Sequence, residues 1–341
     1  MALWLDPSGE ALMTASKLVR GAVVAALAAS SGLAAVISTA SAQDKWPTRR
    51  VTLVVPFGAG SVTDAVARIL ADQYKDLLGQ PVIVENRGGA GGTIGANSVA
   101  KAAPDGYTLL MGGNTTHSAA PALFKKLQYD PVKDFTAIAR LGKYTSFIAA
   151  NNQQPFDTIQ GLVAYAKANP GKLSYGHGNS TGQITGETLK KKLGIDMARV
   201  SYTSNANAMT DLLGNNIQVM VPDMLNGAPH LQAGKIKALA FVMKEHSPIL
   251  PNVPTVHETL IKDFEVLPWV GVFGPANLPP EIAKRVADGV KRMLSKKDIV
   301  DKISKMGCEP YFLQNGEFAA FVKSDMPTWA AHAKLAGIEP R

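Results

Sequence analysis

Three glycine-containing loops hold most of the side chains in this sequence that could do chemistry. The first is Phe57-Gly58-Ala59-Gly60-Ser61-Val62-Thr63-Asp64. Its small residues let backbone N–H groups come close to a bound molecule, and Ser61 and Thr63 add hydroxyls. A helix starting directly afterwards would aim its free N–H groups and positive dipole end at the loop, an arrangement suited to an anion. Asp64 also has a plainer role open to it, satisfying the first turn of that helix. Gly58-Ala59-Gly60 opens like a dinucleotide fingerprint, but the third glycine would fall at Thr63, and no G-x-x-x-x-G-K-[ST] run occurs. The second loop, Gly112-Gly113-Asn114-Thr115-Thr116-His117, offers amide and hydroxyl donors, or is simply a polar helix start.

The third loop, Gly176-His177-Gly178-Asn179-Ser180-Thr181-Gly182, contains a formal G-x-S-x-G. Read as a nucleophile elbow, it would make Ser180 the nucleophile of a secreted serine hydrolase, with Asp211 or Asp223 and His230 or His257 following in a workable order. No HGGG-like oxyanion run accompanies it, and a loop that holds a carboxylate with N–H and hydroxyl groups needs the same small residues. The six histidines, at 117, 177, 230, 246, 257 and 332, show no metal-ligand spacing. Cys308 is the only cysteine, so no internal disulfide forms, and it reads as a small buried apolar residue. No cofactor and no metal are expected.

These loops need a scaffold. Val51-Thr52-Leu53-Val54-Val55 is a nearly continuous β-branched run, which fits a strand buried on both faces. A helical pattern over 65–78 ends at Gly79, strands follow at 82–84 and 107–111, and a helix lies between them. The same rhythm returns with strands at 147–150, 173–175, 199–202, 217–221, 238–242 and 265–274 and helices at 159–169, 183–193, 280–294 and 316–335. Strand–helix alternation predicts an α/β fold with doubly wound sheets, whose ligands sit beyond the carboxyl ends of the strands. A chain of 341 residues is long for one core and fits two lobes.

Composition narrows the function classes. With 46% hydrophobic and 18% charged residues the chain is globular. The net charge of +8 is scattered, and its densest groups, Lys190-Lys191-Lys192 and Lys296-Lys297, have no interleaved aromatics, so nucleic acid is not an expected partner. Residues 1–42 read as an export signal. Lys17 and Arg20 precede the apolar run 21–29, Ser30, Ser31 and Gly32 interrupt it, and Ala40-Ser41-Ala42 is an A-x-A site. Cleavage after Ala42 would start the mature chain at Gln43, and Met13 is an alternative start to Met1.

Ordered motifs along the mature chain carry a resemblance. They include Trp46-Pro47-Thr48-Arg49-Arg50-Val51, Val84-Glu85-Asn86-Arg87 with Gly89-Ala90-Gly91-Gly92, and Lys101-Ala102-Ala103-Pro104-Asp105-Gly106-Tyr107. Tyr129-Asp130-Pro131-Val132-Lys133-Asp134-Phe135, Thr210-Asp211-Leu212-Leu213-Gly214 and Val253-Pro254-Thr255 continue the series. In these stretches the chain resembles the Bug-type substrate-binding proteins of tripartite tricarboxylate transporters. The resemblance implies a two-lobe periplasmic-binding-protein fold with the ligand cleft between the lobes. Lobe one would be residues 43–142 plus 265–341 and lobe two 143–264, with crossing segments near 138–148 and 265–274. It implies a monomeric, non-enzymatic periplasmic receptor for a small organic carboxylate or amino-acid-like solute, with membrane permease subunits as possible partners. By position it nominates Phe57, Gly58, Ala59, Gly60, Ser61, Thr63, Asp64, Thr115, Thr116, His117, Asn179, Ser180, Thr181, Tyr202 and Asp223 as ligand-binding. The chain departs from the family's pattern at Ser61, at Thr203-Ser204 after Tyr202, at Asn207 and at Gln183. Losing a basic residue near the cleft argues against a tricarboxylate such as citrate, and the extra hydroxyl and amide groups suit a monocarboxylate, an amino acid or another more neutral solute.

Overall fold

The computed structural model describes residues 46–340, so the expected export signal and its cleavage site lie outside the described residues. The strands are β1 Val51–Val55, β2 Val82–Asn86, β3 Thr108–Gly113, β4 Phe135–Tyr144, β5 Phe147–Asn151, β6 Leu173–His177, β7 Met197–Ser201, β8 Val219–Met220, β9 Ile236–Phe241, β10 Trp269–Pro275 and β11 Cys308–Gln314. The longer helices are α1 Val62–Leu78, α2 Thr93–Ala100, α3 Ile159–Ala168, α4 Ser180–Leu193, α5 Asn205–Leu213, α6 Met224–Gln232, α7 Pro280–Leu294, α8 Lys297–Lys305 and α9 Asn315–Leu335.

The strands form two sheets, one of six strands in the order β11-β4-β10-β3-β1-β2 and one of five in the order β7-β6-β8-β5-β9. Each is covered on both faces. In β1, Val51, Leu53 and Val55 pack toward α1 and α7, while Val54 joins Ala96, Leu110 and Phe273 on the opposite face. In β5, Phe147 and Ala149 face one core and Ile148 and Ala150 the other. This is the period-2 alternation of strands with no solvent face.

The α/β alternation appears as expected, and neither sheet is wholly parallel. β1 runs parallel to β2 and β3, but β10 is antiparallel to β3 and β4. In the second sheet β6 is parallel to β7 and β8, while β5 is antiparallel to β8 and β9. The reason is the chain path. β4 ends at Tyr144 in the first sheet and β5 begins at Phe147 in the second. A strand that has just crossed enters its new sheet from the inner end and must run outward, against strands whose carboxyl ends point inward. β10 makes the return crossing and is reversed for the same reason. The two crossings lie together, with Tyr144 N donating to Pro268 O at 2.8 Å.

α9 straddles both sheets. Phe318 and Val322 pack with Val54 and Trp269, whereas Trp329 and Ala333 pack with Leu173, Ile184 and Leu239. Pro327, which removes one helical N–H, falls between the two halves.

Candidate functional site

The loops that leave the carboxyl ends of β1, β3, β6, β7 and β8 meet at the inner edges of the two sheets. Four of them start helices, and each helix begins on a side-chain cap. Ser61 Oγ accepts from Asp64 N at 3.2 Å to start α1. Asn179 Oδ1 accepts from Gly182 N at 3.0 Å to start α4. Ser204 Oγ accepts from Asn207 N at 3.3 Å to start α5. Asp223 Oδ1 accepts from Asn226 N at 3.0 Å to start α6. Each is a short polar side chain satisfying one of the four N–H groups a helix start leaves free.

All four cap residues line one cavity, so four helix N-termini converge on it, one following a strand of the first sheet and three following strands of the second. The other lining residues are Phe57, Val62, Thr63, Gly113, Asn114, Thr115, Tyr144, Ser146, Gly178, Asn205, Pro268 and Trp269. No Lys, Arg or His is among them. An anion here would meet backbone N–H groups, hydroxyls, amides and helix dipoles, each neutrally capped helix end contributing about 0.3–1 kcal/mol and more when shielded from water, while the Asp223 carboxylate at the fourth works against an anion beside it.

The sheets are drawn together across this cavity. Asn114 Nδ2 donates to Ser180 Oγ at 3.0 Å, and the Thr115 and Ser180 hydroxyls are 2.9 Å apart. Gly58 N donates to Thr203 O at 3.3 Å. The enclosed volume is about 40 Å³, room for a few waters. Solute sites commonly measure about 300–1,000 Å³, so a solute must part these contacts to enter.

Among the nominated residues, Phe57, Ser61, Thr63, Thr115, Asn179 and Asp223 come together at the cavity. Gly58 meets the facing segment, and its Cβ position lies 3.3 Å from Asn207 Oδ1 and Ser204 Oγ. Ala59 and Gly60 do not line the cavity; Gly60 N donates to Asp64 Oδ2 at 3.1 Å. Asp64 takes the plainer of its two roles. It pairs with Arg68 at 2.9 Å and accepts from Asn86 Nδ2 at 2.9 Å. Burial works to raise its pKa, but hydrogen bonds from Arg68, Asn86 and Gly60 and the Arg68 charge together hold it below the ordinary value.

Thr116 and His117 lie behind the cavity wall. His117 stacks on Phe273 with centroids 3.7 Å apart, and its Nδ1 is 2.9 Å from Thr116 Oγ1. Thr181 is buried, and its hydroxyl meets no hydrogen-bond partner. Tyr202 points elsewhere, donating to Asp211 Oδ2 at 2.7 Å. Ser180 is 1% exposed and engages Asn114 and Thr115, not an imidazole; His257 Nδ1 instead accepts from Asp263 N at 2.7 Å. The hydrolase reading has no base at its nucleophile.

Tyr144, Ser146, Asn205, Pro268 and Trp269 also line the cavity and were not legible as site residues, whereas Asn114 and Ser204 lie in segments the sequence singled out without being nominated themselves. Asn205 is central, because its Oδ1 accepts from Gly178 N at 3.2 Å and its Nδ2 donates to Asp223 Oδ2 at 3.1 Å. The cap signal Ser204-x-x-Asn207 could have found Ser204. Trp269 sits in an apolar strand and carries no local sign of its position. Tyr144 is 5% exposed, and burial first, with Cys308 and Asp223 acting in the same direction, pushes its phenol well above the ordinary pKa, so it stays neutral.

Residues 66–337 match the family described as tripartite tricarboxylate transporter family receptor. The chain is 36% identical over 300 residues to the UPF0065 protein in gbd 5'region of Cupriavidus necator, covering 87% of this chain and 90% of that one. Its fold is similar to that of the periplasmic binding protein BugD, with a TM-score of 0.83 and 34% identity over 87% of this chain and all (100%) of BugD. It is also similar to MatC from Rhodopseudomonas palustris with bound malate, with a TM-score of 0.79 and 33% identity over 84% and 99% of the two chains.

Proposed function

This chain belongs to the tripartite tricarboxylate transporter receptor family, and we propose that it captures a small carboxylate-bearing solute between its two lobes and releases it unchanged to a membrane permease. The observation that carries this reading is the convergence of four helix N-termini, capped by Ser61, Asn179, Ser204 and Asp223, on one cavity without a basic side chain. Such a site binds a carboxylate through oriented dipoles and N–H groups, without a full countercharge. The malate bound by the similar protein MatC supports the same class of solute.

In this reading residues 43–142 with 265–341 form one lobe and 143–264 the other. Opening parts the Asn114 and Thr115 contacts to Ser180, and closure over the solute restores a tight interface. The half of α9 that bears Trp329 rides on the core of the second lobe. The receptor acts as a monomer in the periplasm, after removal of residues 1–42. Protein recovered from the periplasm should begin at Gln43, and an N-terminus at Met1 or Met13 would overturn cleavage.

Thermal unfolding of residues 43–341 against mono-, di- and tricarboxylates tests the function. A solute that binds only the folded state adds about 2.7 kcal/mol of stability at a hundredfold excess over its Kd. Stabilisation by a carboxylate, with the solute recovered intact, is the expected result. A flat response to every carboxylate would sink the reading.

A further inference from the structure

We infer that the solute carries a positively charged nitrogen as well as its carboxylate, and that Asp223 receives the nitrogen with Tyr144 beside it. This deepens the receptor reading above and rests on it.

The four helix caps are not equivalent. Ser61, Asn179 and Ser204 are neutral; α4 and α5 have no acidic residue in their first turn and stay positive toward the cavity, while α1 carries Asp64 in its first turn, paired with Arg68. The fourth cap, Asp223, is a carboxylate that cancels the positive end of its own helix. Asp223 is 3% exposed and lines the cavity, yet no Lys, Arg or His stands with it there. Its polar neighbours are amides: Asn205 Nδ2 at 3.1 Å, Asn226 Nδ2 at 2.9 Å and Asn226 N at 3.0 Å. These solvate the carboxylate but leave its charge without a counterion. The cavity therefore has a positive side built from helix ends and one negative corner.

A second observation marks the same corner. Tyr144 lines the cavity and is 5% exposed, and its hydroxyl has no partner at hydrogen-bond distance and angle. The Thr63 side chain approaches it closely enough to act on the phenol as a weak hydrogen-bond neighbour, and the Asp223 charge also acts on it. A buried hydroxyl left unpaired is costly, and a solute that supplies a partner removes that cost. A second solute carboxylate at this corner would face Asp223 with no cation between them. An ammonium group complements Asp223 and leaves Tyr144 a polar neighbour.

Calorimetric titration of residues 43–341 tests this with amino acids, the same acids lacking the nitrogen, malate and citrate, each against wild type, Asp223→Asn and Tyr144→Phe. Asparagine also caps helices well, so Asp223→Asn should keep α6 and the fold, which circular dichroism would check. An amino acid should bind most tightly, and removing its nitrogen should weaken wild-type binding about tenfold to a hundredfold, the worth of a charge-assisted hydrogen bond. The same removal should matter far less in Asp223→Asn, and Tyr144→Phe should weaken the amino acid several-fold. Tighter binding of malate or citrate than of every amino acid would overturn the inference while leaving the receptor reading intact. Unchanged amino-acid affinity in Asp223→Asn would also overturn it. Binding by no carboxylate, with or without nitrogen, would sink both.

Discussion

Trp269 Nε1 donates to Asp325 Oδ2 at 2.7 Å, tying the return crossing to the helix that straddles both sheets. The Trp269 ring packs edge-on against Phe318 and Phe321, and the residue lines the cavity. Asp325 also offsets the burial of Arg140, which lies between the rings of Tyr311 and Phe321.

Asp325→Ala should therefore lower stability by about 1–3 kcal/mol, the cost of leaving a largely buried donor unpaired. It should also weaken solute binding, because the indole is no longer held. Urea unfolding followed by tryptophan fluorescence, together with titration of the bound solute, measures both. A variant as stable as wild type would show that the indole N–H finds another partner.

Gly178 lies where the β6 loop meets the start of α5. A Cβ there would collide with the backbone of Ser204 and Asn205, which cannot move aside as a flexible side chain could. Gly178→Ala should abolish solute binding by displacing two cavity-lining residues, and should lower the melting temperature. Gly194, which has nothing within 4 Å of its Cβ position, offers a contrast. Gly194→Ala should leave binding intact and cost stability only through its left-handed φ of +63°. Equal binding by the two variants would contradict the assignment of Gly178 to the cleft.

Burial depresses the pKa of His117 to about 3, against a weaker opposing effect of the Gly113 backbone. The sign follows from linkage. The unfolded chain takes up the proton near the ordinary value of about 6.5, while the folded chain refuses it until about 3, so its contribution is complete above pH 6.5 and is lost as pH falls toward 3. The loss approaches about 1.4 kcal/mol per pH unit within that window. Unfolding titrations from pH 7 to 4 should show a flatter dependence in His117→Phe, which keeps a ring against Phe273. An unchanged slope would mean that other groups dominate.

Cys308 is fully buried, and burial, reinforced by Glu309 and opposed by Arg140, pushes its thiol up to about 12. The native protein should resist iodoacetamide at neutral pH and react once unfolded, because only the thiolate is nucleophilic. Rapid labelling of the folded chain, read by intact mass, would contradict this.

Much of the scaffold was legible because its signals are local. The β-branched run of β1, Gly79 ending α1 in a left-handed conformation, and the spacing of α7 each need only a few neighbouring residues. The order of strands was less so. β4 and β11 pair antiparallel across more than a hundred and fifty residues of chain, and nothing in either segment names its partner.

The sequence by itself determined that three glycine-containing loops begin helices and that small polar residues stand there, because a cap reaches only three residues ahead. Tertiary structure alone decided that Ser61, Asn179, Ser204 and Asp223 share one cavity, since their convergence depends on how the two sheets meet. It also decided that Ser180 faces Asn114 and Thr115, that Asp64 turns to Arg68, and that Tyr144 and Trp269, apolar-looking ends of buried strands, line the cleft. A side chain's chemistry is written in its own position, but the field it works in is supplied by residues far away in the chain.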